Sequence, residues 1–267
     1  MPCYNEAKTI NRDINETVKT LKKSNNGSFE LIVIDDGSSD GTFDEIKAGA
    51  LNNGCVKCIR LKHNGGKGHA LKKGFQHARG KYICFLDGDL DIHPRLIKSF
   101  VEVMEKENAD VVIGSKRHPL SKVNYPLHRR ILSVGYQCFI KMLFNLSIRD
   151  SQVGLKVFKR EVLDEVLPLV LVKKYAFDIE VLLNTHRNGY KIVEAPIEMD
   201  FHTAGKGSDV GPEAYTRMFL DTCAIFYRAN ILHYYDKSQR ETQDKQQLLI
   251  LDNKRTTNQH KPTEISE

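Results

Sequence analysis

The sequence contains no run of about 18–20 apolar residues, the length that an α-helix needs to cross a bilayer. It also lacks, at its beginning, the succession of basic, apolar and small residues that marks a secretory signal. We therefore expect neither a membrane-spanning helix nor a cleaved leader in this chain.

Clustered cysteine is lacking as well. The six cysteines are scattered, and the Cys55-x-x-Cys58 pair has no second cysteine pair or histidine pair to complete a zinc site. Cysteines inside apolar runs behave as small hydrophobes. We therefore expect a reducing, cytoplasmic environment.

The chain has no strong excess of one charge. Its formal net charge of +6 suits an anionic small molecule, an anionic membrane surface or nucleic acid. The basic, glycine-rich stretch at residues 62–69 contains no Phe, Tyr or Trp on which single-stranded bases could stack. We therefore expect no nucleic-acid partner.

What the chain does contain is an alternation of short apolar runs and amphipathic segments. Runs typical of buried strands lie at residues 29–34, 56–61, 82–86 and 110–114. Helical patterns lie at residues 7–24, 42–52, 94–107 and from the basic stretch to about 78. This alternation predicts an α/β fold, with a Rossmann-like, mostly parallel sheet and helices on both faces.

Three carboxylates follow the strand predicted at 82–86, at alternate positions: Asp87, Asp89 and Asp91. Because like charges repel, such a cluster is either splayed into water or compensated by a cation. Oxygen ligands suit Mg²⁺ or Mn²⁺, which take one or two carboxylates from the protein and further ligands from water and phosphate. A solvated acidic turn is the alternative.

Polar clusters also follow the other strands, at residues 3–6, 35–40 and 62–68. In parallel α/β sheets, ligands bind beyond the carboxyl ends of the strands, so these clusters can line one crevice with the carboxylates. Lys67 lies in a Gly-Gly-Lys-Gly loop that lacks the spacing of a nucleotide-triphosphate P-loop. A flexible basic turn is the alternative for this loop. The residues after Met1 are typical of a strand end, and we expect that strand to begin upstream of Met1.

The ordered motifs together resemble the family 2 glycosyltransferases, which have a GT-A fold. The motifs of the first 115 residues are Pro2-x-Tyr4-Asn5-Glu6, Asp35-Asp36-Gly37-Ser38-x-Asp40-Gly41-Thr42, Gly66-Lys67-Gly68 and Asp87-Gly-Asp89-Leu-Asp91. Two later stretches, at residues 150–161 and 175–180, are similar to the branch that makes dolichyl-phosphate mannose or dolichyl-phosphate glucose. The resemblance covers residues 1 to about 200.

This resemblance implies roles for individual residues. Asp89 and Asp91 would coordinate Mg²⁺ or Mn²⁺, although the position of Asp91 is Gln in much of this branch. Arg117, Arg130 and Ser133 would serve the acceptor phosphate, and Asp89, Arg117 and Arg130 would be the catalytic residues. The nucleotide sugar would be bound by Pro2, Tyr4, Glu6, Asp36, Lys67 and Asp87. A solvated surface arginine is the alternative for Arg117 and for Arg130.

The resemblance implies a catalytic domain at residues 1–200. Composition and spacing predict a loop with an amphipathic helix at 201–236 and a disordered polar tail at 237–267. Segments 131–146 and 213–235 are rich in apolar residues at helical spacing. Each is either packed in the interior or placed at a membrane interface.

The resulting hypothesis is an inverting transfer of glucose or mannose, from UDP-glucose or GDP-mannose, to a polyprenyl (dolichyl) phosphate. The enzyme would be peripheral, at the cytoplasmic face of the membrane. One alternative is a family 2 transferase acting on a sugar hydroxyl, for which Asp150 is the candidate base. Another is a non-catalytic nucleotide-sugar-binding protein.

Overall fold

The structure of the protein is a computed structural model. It describes five stretches of the chain: residues 1–24, 28–51, 53–124, 127–200 and 212–236. Contacts within the chain divide it into two units, Met1–Cys223 and Ala224–Glu267. The domain boundaries predicted from the sequence stay a prediction. The loop at 202–208 and the tail predicted at 237–267 lie outside the described residues.

Strands and helices alternate in the first unit. In chain order, the strands are β1 (Pro2–Cys3), β2 (Leu31–Asp35), β3 (Val56–Arg60), β4 (Tyr82–Phe85), β5 (Val111–Ser115), β6 (Lys122–Asn124), β7 (Lys156–Lys159), β8 (Ile192–Pro196) and β9 (Glu198–Asp200). The helices are α1 (Ile10–Lys23), α2 (Thr42–Leu51), α3 (Lys67–His77), α4 (Leu96–Lys106), α5 (Leu127–Phe144), α6 (Arg160–Val166), α7 (Phe177–Arg187) and α8 (Pro212–Phe226). The four strands predicted between residues 29 and 114 are β2 to β5, and the four helices predicted before residue 108 are α1 to α4.

The strands pair in three groups. β1, β2 and β3 are hydrogen-bonded in that order and are parallel. β4, β7, β5 and β8 form a second sheet, in which β5 and β8 are parallel and β7 runs antiparallel to both of its neighbours. β6 and β9 form a parallel pair. The mostly parallel sheet is confirmed, and β7 is a strand that the sequence did not predict.

β2 and β5 are buried along their whole length. Parallel strands covered on both faces are apolar throughout, and the β-branched residues of these two strands fit that requirement. In α1, the residues Ile10, Ile14 and Val18 lie one turn apart on one face and are buried, which contributes about 1.5–3 kcal/mol for each side chain. This packing fixes where each strand ends and so where the polar residues after it lie.

α5 and α8 contact each other within the first unit. The rings of Phe139 and Phe219 stack with their centroids 4.9 Å apart, and the hydroxyl oxygens of Tyr136 and Thr222 are 2.7 Å apart. Other large apolar side chains on these two helices are exposed: Ile131, Leu132, Val134, Met142, Tyr215 and Leu220. Each helix therefore has both a packed and an exposed apolar side. Among the residues that the structure describes, no helix has the length and apolarity to cross a bilayer.

The helix predicted at 213–235 is not one regular α-helix. α8 ends at Phe226, and Tyr227–Ile231 form a π-helical segment. Within the second unit, the guanidinium of Arg228 donates a hydrogen bond to the hydroxyl of Tyr235 over 3.3 Å. The rings of Tyr234 and Tyr235 meet edge to face.

Replacing Phe100 by Ala tests the packing of α4 against the sheet. Phe100 is fully buried, so its truncation removes apolar contacts and leaves a cavity. We expect the free energy of unfolding to fall by about 3–5 kcal/mol, measured by urea titration followed by circular dichroism. Leu51→Ala is the matched control, because Leu51 is 82% exposed. Equal urea midpoints for the two variants would contradict the packing described for α4.

Candidate active site

The segments that follow β1 and β2 are tied together by hydrogen bonds between backbone and side chain. The backbone N–H of Asn5 donates to the hydroxyl of Ser38 over 2.9 Å, and that of Glu6 donates to the hydroxyl of Thr42 over 2.8 Å. These bonds hold the first two polar clusters predicted from the sequence side by side. The carboxyl ends of β1 and β2 therefore present one continuous polar edge.

Asp36 connects this edge to the basic loop. Its two carboxylate oxygens accept hydrogen bonds from the backbone N–H groups of Gly65 and Gly66, over 2.9 and 2.7 Å. Gly66 has a φ of 92°, and a Cβ at this position would lie 2.7 Å from the carbonyl oxygen of Lys173, so only glycine fits. Asp36 thus fixes the loop that opens α3, and its predicted contact with the nucleotide stays a prediction.

Four buried or half-buried charged side chains form a row of ion pairs that begins at Asp87, the first residue of the acidic cluster Asp87, Asp89 and Asp91. Lys67 Nζ lies 2.6 Å from Asp87 Oδ1 and 3.9 Å from Asp178 Oδ2. Asp178 Oδ1 in turn lies 2.8 Å from Lys156 Nζ, on a side chain that is 1% exposed. Signs alternate along the chain, so each buried charge has an opposite neighbour, as buried ions require.

The pKa values of Asp87 and Lys67 follow from burial and from their charged neighbours. Burial raises the pKa of Asp87, but the Lys67 ammonium outweighs burial and holds that pKa below its usual range. Burial lowers the pKa of Lys67, and the two aspartates outweigh that effect and hold it above its usual range. Asp87 is therefore ionised and committed to Lys67.

Asp89 and Glu6 lie near these four charges but take no part in the ion pairs described above. Burial, with Asp87 and Asp91 nearby, raises the pKa of Asp89 to about 6. Burial, with Asp89 and Asp87 nearby, raises the pKa of Glu6 to about 8. Glu6 Oε2 is buried and has no hydrogen-bond partner within the described ranges. Glu6 is therefore largely protonated at neutral pH, and a cation bound beside these carboxyl groups would favour their ionised forms.

The predicted metal ligands fit a divalent cation by their chemistry. Asp89 and Asp91 line the same pocket, and Mg²⁺ commonly takes one or two carboxylates while keeping waters and substrate phosphates. Among the described residues, no group of three or more His, Cys, Asp or Glu side chains is arranged to hold a metal. Asp89 and Asp91 as metal ligands stay a prediction.

The pocket has a volume of about 240 Å³. Three acidic residues line it, as do Lys116, Ser133 and the segment 152–154. The complete lining is Leu86, Asp87, Asp89, Asp91, Ile92, Lys116, Ser133, Gln152, Val153, Gly154 and Met199. Gly154 is required by close approach, because a Cβ there would lie 2.1 Å from Asp87 Oδ2.

Arg117 and Ser133, which the sequence predicted as acceptor-phosphate residues, are in contact. The guanidinium of Arg117 donates to the hydroxyl of Ser133 over 3.0 Å and also donates to the carbonyl of Arg149. Glu194 on β8 accepts from the backbone N–H groups of Arg149 and Asp150, over 2.7 and 3.1 Å. Glu194, which the sequence did not single out, therefore supports the residues that position Arg117.

The structure places the remaining predicted residues as follows. Pro2 is buried in β1, Tyr4 is 45% exposed, and Arg130 is exposed on α5. Asp150 is buried and accepts hydrogen bonds from the backbone N–H groups of Lys116 and Gln152. Asp150 also pairs with the Lys116 ammonium over 3.6 Å, so it is engaged in structure and is poorly placed to act as a base.

Lys156 is the site residue that sequence reasoning missed most clearly. It lies in β7, is fully buried, and its ammonium also bonds to the carbonyl of Val153 over 2.5 Å. A lysine between two apolar residues, Leu155 and Val157, was the available signal. Because β7 itself was not predicted, nothing in the sequence placed that lysine beside Asp178.

Comparison with known proteins agrees with this geometry. Residues 1–167 match the sequence profile of Glycosyl transferase family 2. A dolichyl-phosphate beta-glucosyltransferase of Trichomonas vaginalis is 32% identical over 247 residues, which are 89% of this chain and 75% of that protein. The dolichyl-phosphate beta-glucosyltransferase of Dictyostelium discoideum is 30% identical over 243 residues, which are 85% of this chain and 73% of that protein.

Solved structures share the fold. Glucosyl-3-phosphoglycerate synthase from Mycobacterium tuberculosis, in complex with Mn²⁺, UDP-glucose and phosphoglyceric acid, superposes with a TM-score of 0.61 at 20% identity, over 85% of this chain and 76% of that chain. A mannosyltransferase from Pyrobaculum calidifontis, in complex with GDP-Man and Mn²⁺, has a TM-score of 0.54 at 19% identity, over 86% of this chain and 62% of that chain. These likenesses confirm the predicted GT-A fold.

Replacing Glu6 by Gln tests the electrostatics of the acidic cluster. The pKa of Glu6 is about 8 in the folded protein against an ordinary 4.5. Between those values the folded state holds a proton that the unfolded state has lost, so rising pH destabilises the wild type. We therefore measure the thermal unfolding temperature of both proteins with chelator present. We expect the difference, Glu6→Gln minus wild type, to be larger at pH 8.5 than at pH 5.

The control for this experiment is Glu102→Gln, since the Glu102 side chain is 60% exposed on α4. It removes one carboxylate without changing a buried one. If the difference in unfolding temperature between Glu6→Gln and the wild type stays the same across this pH range, the electrostatics described for Glu6 are wrong.

Proposed function

The chain belongs to glycosyl transferase family 2, and on that premise we propose that it transfers a hexose from a nucleotide sugar to a polyprenyl phosphate, with inversion at the anomeric carbon. The observation that carries this proposal is the pocket lined by Asp89, Asp91 and Ser133, together with the hydrogen bond that the Ser133 hydroxyl accepts from Arg117. The two carboxylates suit a cation-bound diphosphate, and the serine with its arginine suits a second phosphate. The relatives described above have names that fit this reaction.

Glucose from UDP-glucose is the donor that we propose. The sequence alone left glucose and mannose open. Two relatives that are 30% and 32% identical are both named dolichyl-phosphate beta-glucosyltransferases, and this favours glucose for a chain that covers most of their length. GDP-mannose is the competing donor, and the assay below separates the two.

Asp89 and Asp91 would hold Mg²⁺ or Mn²⁺ in this proposal. When bound, the ion acts as a Lewis acid that stabilises the charge developing on the departing nucleoside diphosphate. The residues of the chain prepare the site for that charge. Lys67 neutralises Asp87, which limits repulsion between the acidic cluster and an incoming diphosphate.

The acceptor side needs no general base. A phosphate monoester is already ionised at neutral pH, so its oxygen can bond to the anomeric carbon as the bond from that carbon to the diphosphate breaks, with the electron pair leaving on the diphosphate. Arg117 would bind the acceptor phosphate and reduce its repulsion from the donor. The engagement of Asp150 with Lys116 supports a phosphate acceptor over a sugar hydroxyl, because a hydroxyl would need a base.

A peripheral position at the cytoplasmic face of a membrane completes the proposal. Ser133 lies on α5, whose neighbouring side chains Ile131, Leu132 and Val134 are exposed. Exposed apolar side chains on a helix favour the interface between water and lipid, where a polyprenyl phosphate presents its head group. The net charge of +6 favours an anionic surface as well.

The first test is transfer of labelled glucose or mannose from UDP-glucose or GDP-mannose to dolichyl phosphate with Mn²⁺. We expect label in the lipid phase from UDP-glucose, and its loss when a chelator is added. Asp89→Asn should lower turnover at least about 100-fold, because it removes a ligand of the ion that stabilises the leaving group. Asp44→Asn is the matched control, at a side chain that is 79% exposed.

The second test concerns the acceptor phosphate. Arg117→Ala should lower kcat/KM for dolichyl phosphate about 10- to 100-fold, and Arg117→Lys less, because lysine keeps the charge but not the two-pronged geometry. Arg95→Ala removes an exposed arginine paired with Glu198 and should leave the kinetics unchanged. Unchanged acceptor kinetics in Arg117→Ala would remove that residue from the acceptor site.

A further inference from the structure

Gln152 lines the pocket with an uncompensated hydrogen-bond donor. Its side-chain nitrogen Nε2 is buried and has no hydrogen-bond partner among the residues that the structure describes. Buried amide groups are normally paired, because leaving one unpaired is costly. A donor in this state at the wall of a ligand pocket indicates that the ligand supplies the acceptor.

Other polar groups around the pocket are already engaged with the protein. Asp87 pairs with Lys67, the Ser133 hydroxyl accepts from Arg117, and Lys116 pairs with Asp150. Gln152 differs from these groups because its side-chain nitrogen has no hydrogen-bond acceptor among the described residues. A ligand in the pocket could supply that acceptor.

The position of Gln152 is fixed by contacts that do not involve its side chain. Its backbone N–H donates to Asp150 Oδ1 over 3.3 Å. The carbonyl of the next residue, Val153, accepts from the buried Lys156 ammonium, and Gly154 lies against Asp87. A substitution of the Gln152 side chain therefore leaves the backbone of this segment in place.

The proposed reaction determines what occupies the space beside Gln152. The bond that breaks and the bond that forms share the anomeric carbon, so the transferred sugar lies between the donor diphosphate and the acceptor phosphate. Asp89, Asp91 and Ser133 all line the pocket together with Gln152. Its volume of about 240 Å³ is below the ~300–1,000 Å³ of clefts that bury whole drug-sized ligands, so it suits one sugar ring.

We propose that the side-chain amide of Gln152 donates a hydrogen bond to a hydroxyl group of the transferred hexose and thereby determines which sugar is accepted. This inference rests on the proposed function and deepens it by assigning a residue to the sugar. A site that hydrogen-bonds a substrate hydroxyl discriminates strongly against an analogue that lacks it, because the buried protein group is then left unpaired.

The test combines Gln152→Met with UDP-glucose donors that each lack one hydroxyl, at position 2, 3, 4 or 6 of the sugar. For the wild type we expect kcat/KM to fall about 10- to 100-fold for one of these donors. For Gln152→Met we expect a similar fall with UDP-glucose itself, and no further fall when that same hydroxyl is missing. The affinity for UDP, which lacks the transferred hexose, should be unchanged in calorimetry.

A structural role for Gln152 is distinguished by thermal unfolding. Gln152→Met should not lower the unfolding midpoint, because the replaced nitrogen has no partner in the protein. Gln137→Met is the matched control: its side-chain amide donates to the carbonyl of Ile148 over 2.8 Å and accepts from Ser151. That variant should lower the midpoint and keep the wild-type pattern of deoxy-sugar discrimination.

The outcomes separate the two proposals. The assignment of Gln152 alone is overturned if Gln152→Met discriminates among the deoxy donors as the wild type does. It is also overturned if this variant unfolds at a lower temperature and binds UDP more weakly. Wild-type protein that binds UDP but transfers no sugar from any donor to dolichyl phosphate would overturn the proposed function and this assignment with it.

Discussion

The alternating chain of charges from Asp87 through Lys67 and Asp178 to Lys156 is the interaction on which the site depends. An acidic cluster at a strand end is unstable in isolation because its carboxylates repel one another. Here one carboxylate is neutralised by an ammonium 2.6 Å away, and that ammonium is balanced in turn by a second buried pair. The chain thereby joins β4, α3, α7 and β7 through a single electrostatic network.

Such a network stabilises one arrangement rather than the fold as a whole. Burying an ion pair costs much of what the pair gains, but removing one partner leaves an uncompensated charge in the interior. The arrangement therefore specifies where Asp87 points, and Asp89 and Asp91 stay the proposed ligands of a cation. Burial, with Asp87 and Asp91 nearby, raises the pKa of Asp89.

The sequence predicted the first half of the fold well because its signals are local. Buried strands such as β2 are apolar runs, α1 repeats its apolar residues at helical spacing, and each polar cluster follows a strand directly. Asp89 was singled out by a local pattern, the carboxylates that directly follow a strand. Arg117 and Ser133 were named by the resemblance to the family; the structure places them in contact, and their roles stay predictions.

The parts that could not be predicted depend on contacts between distant residues. β7 is only four residues long and pairs antiparallel between two strands that precede it by dozens of residues, so no periodicity within it reveals its partners. Lys156 meets Asp178, and Glu194 meets the backbone at Arg149, only once that sheet has formed. The unpaired amide of Gln152 is likewise a property of the folded pocket and not of its composition.

α5 has a consequence for how the protein selects among phosphates. Ser133 shares this helix with exposed apolar side chains on both sides of it, from Ile131 to Met142, a span of about 16 Å at a rise of ~1.5 Å per residue. If that helix rests on a lipid surface as proposed, the phosphate-binding residues are held at a fixed depth relative to the lipid head groups. Water-soluble phosphates would then be disfavoured by the location of the site at the membrane surface rather than by the shape of the pocket. The helix would hold the phosphate-binding residues at the level of the lipid head groups.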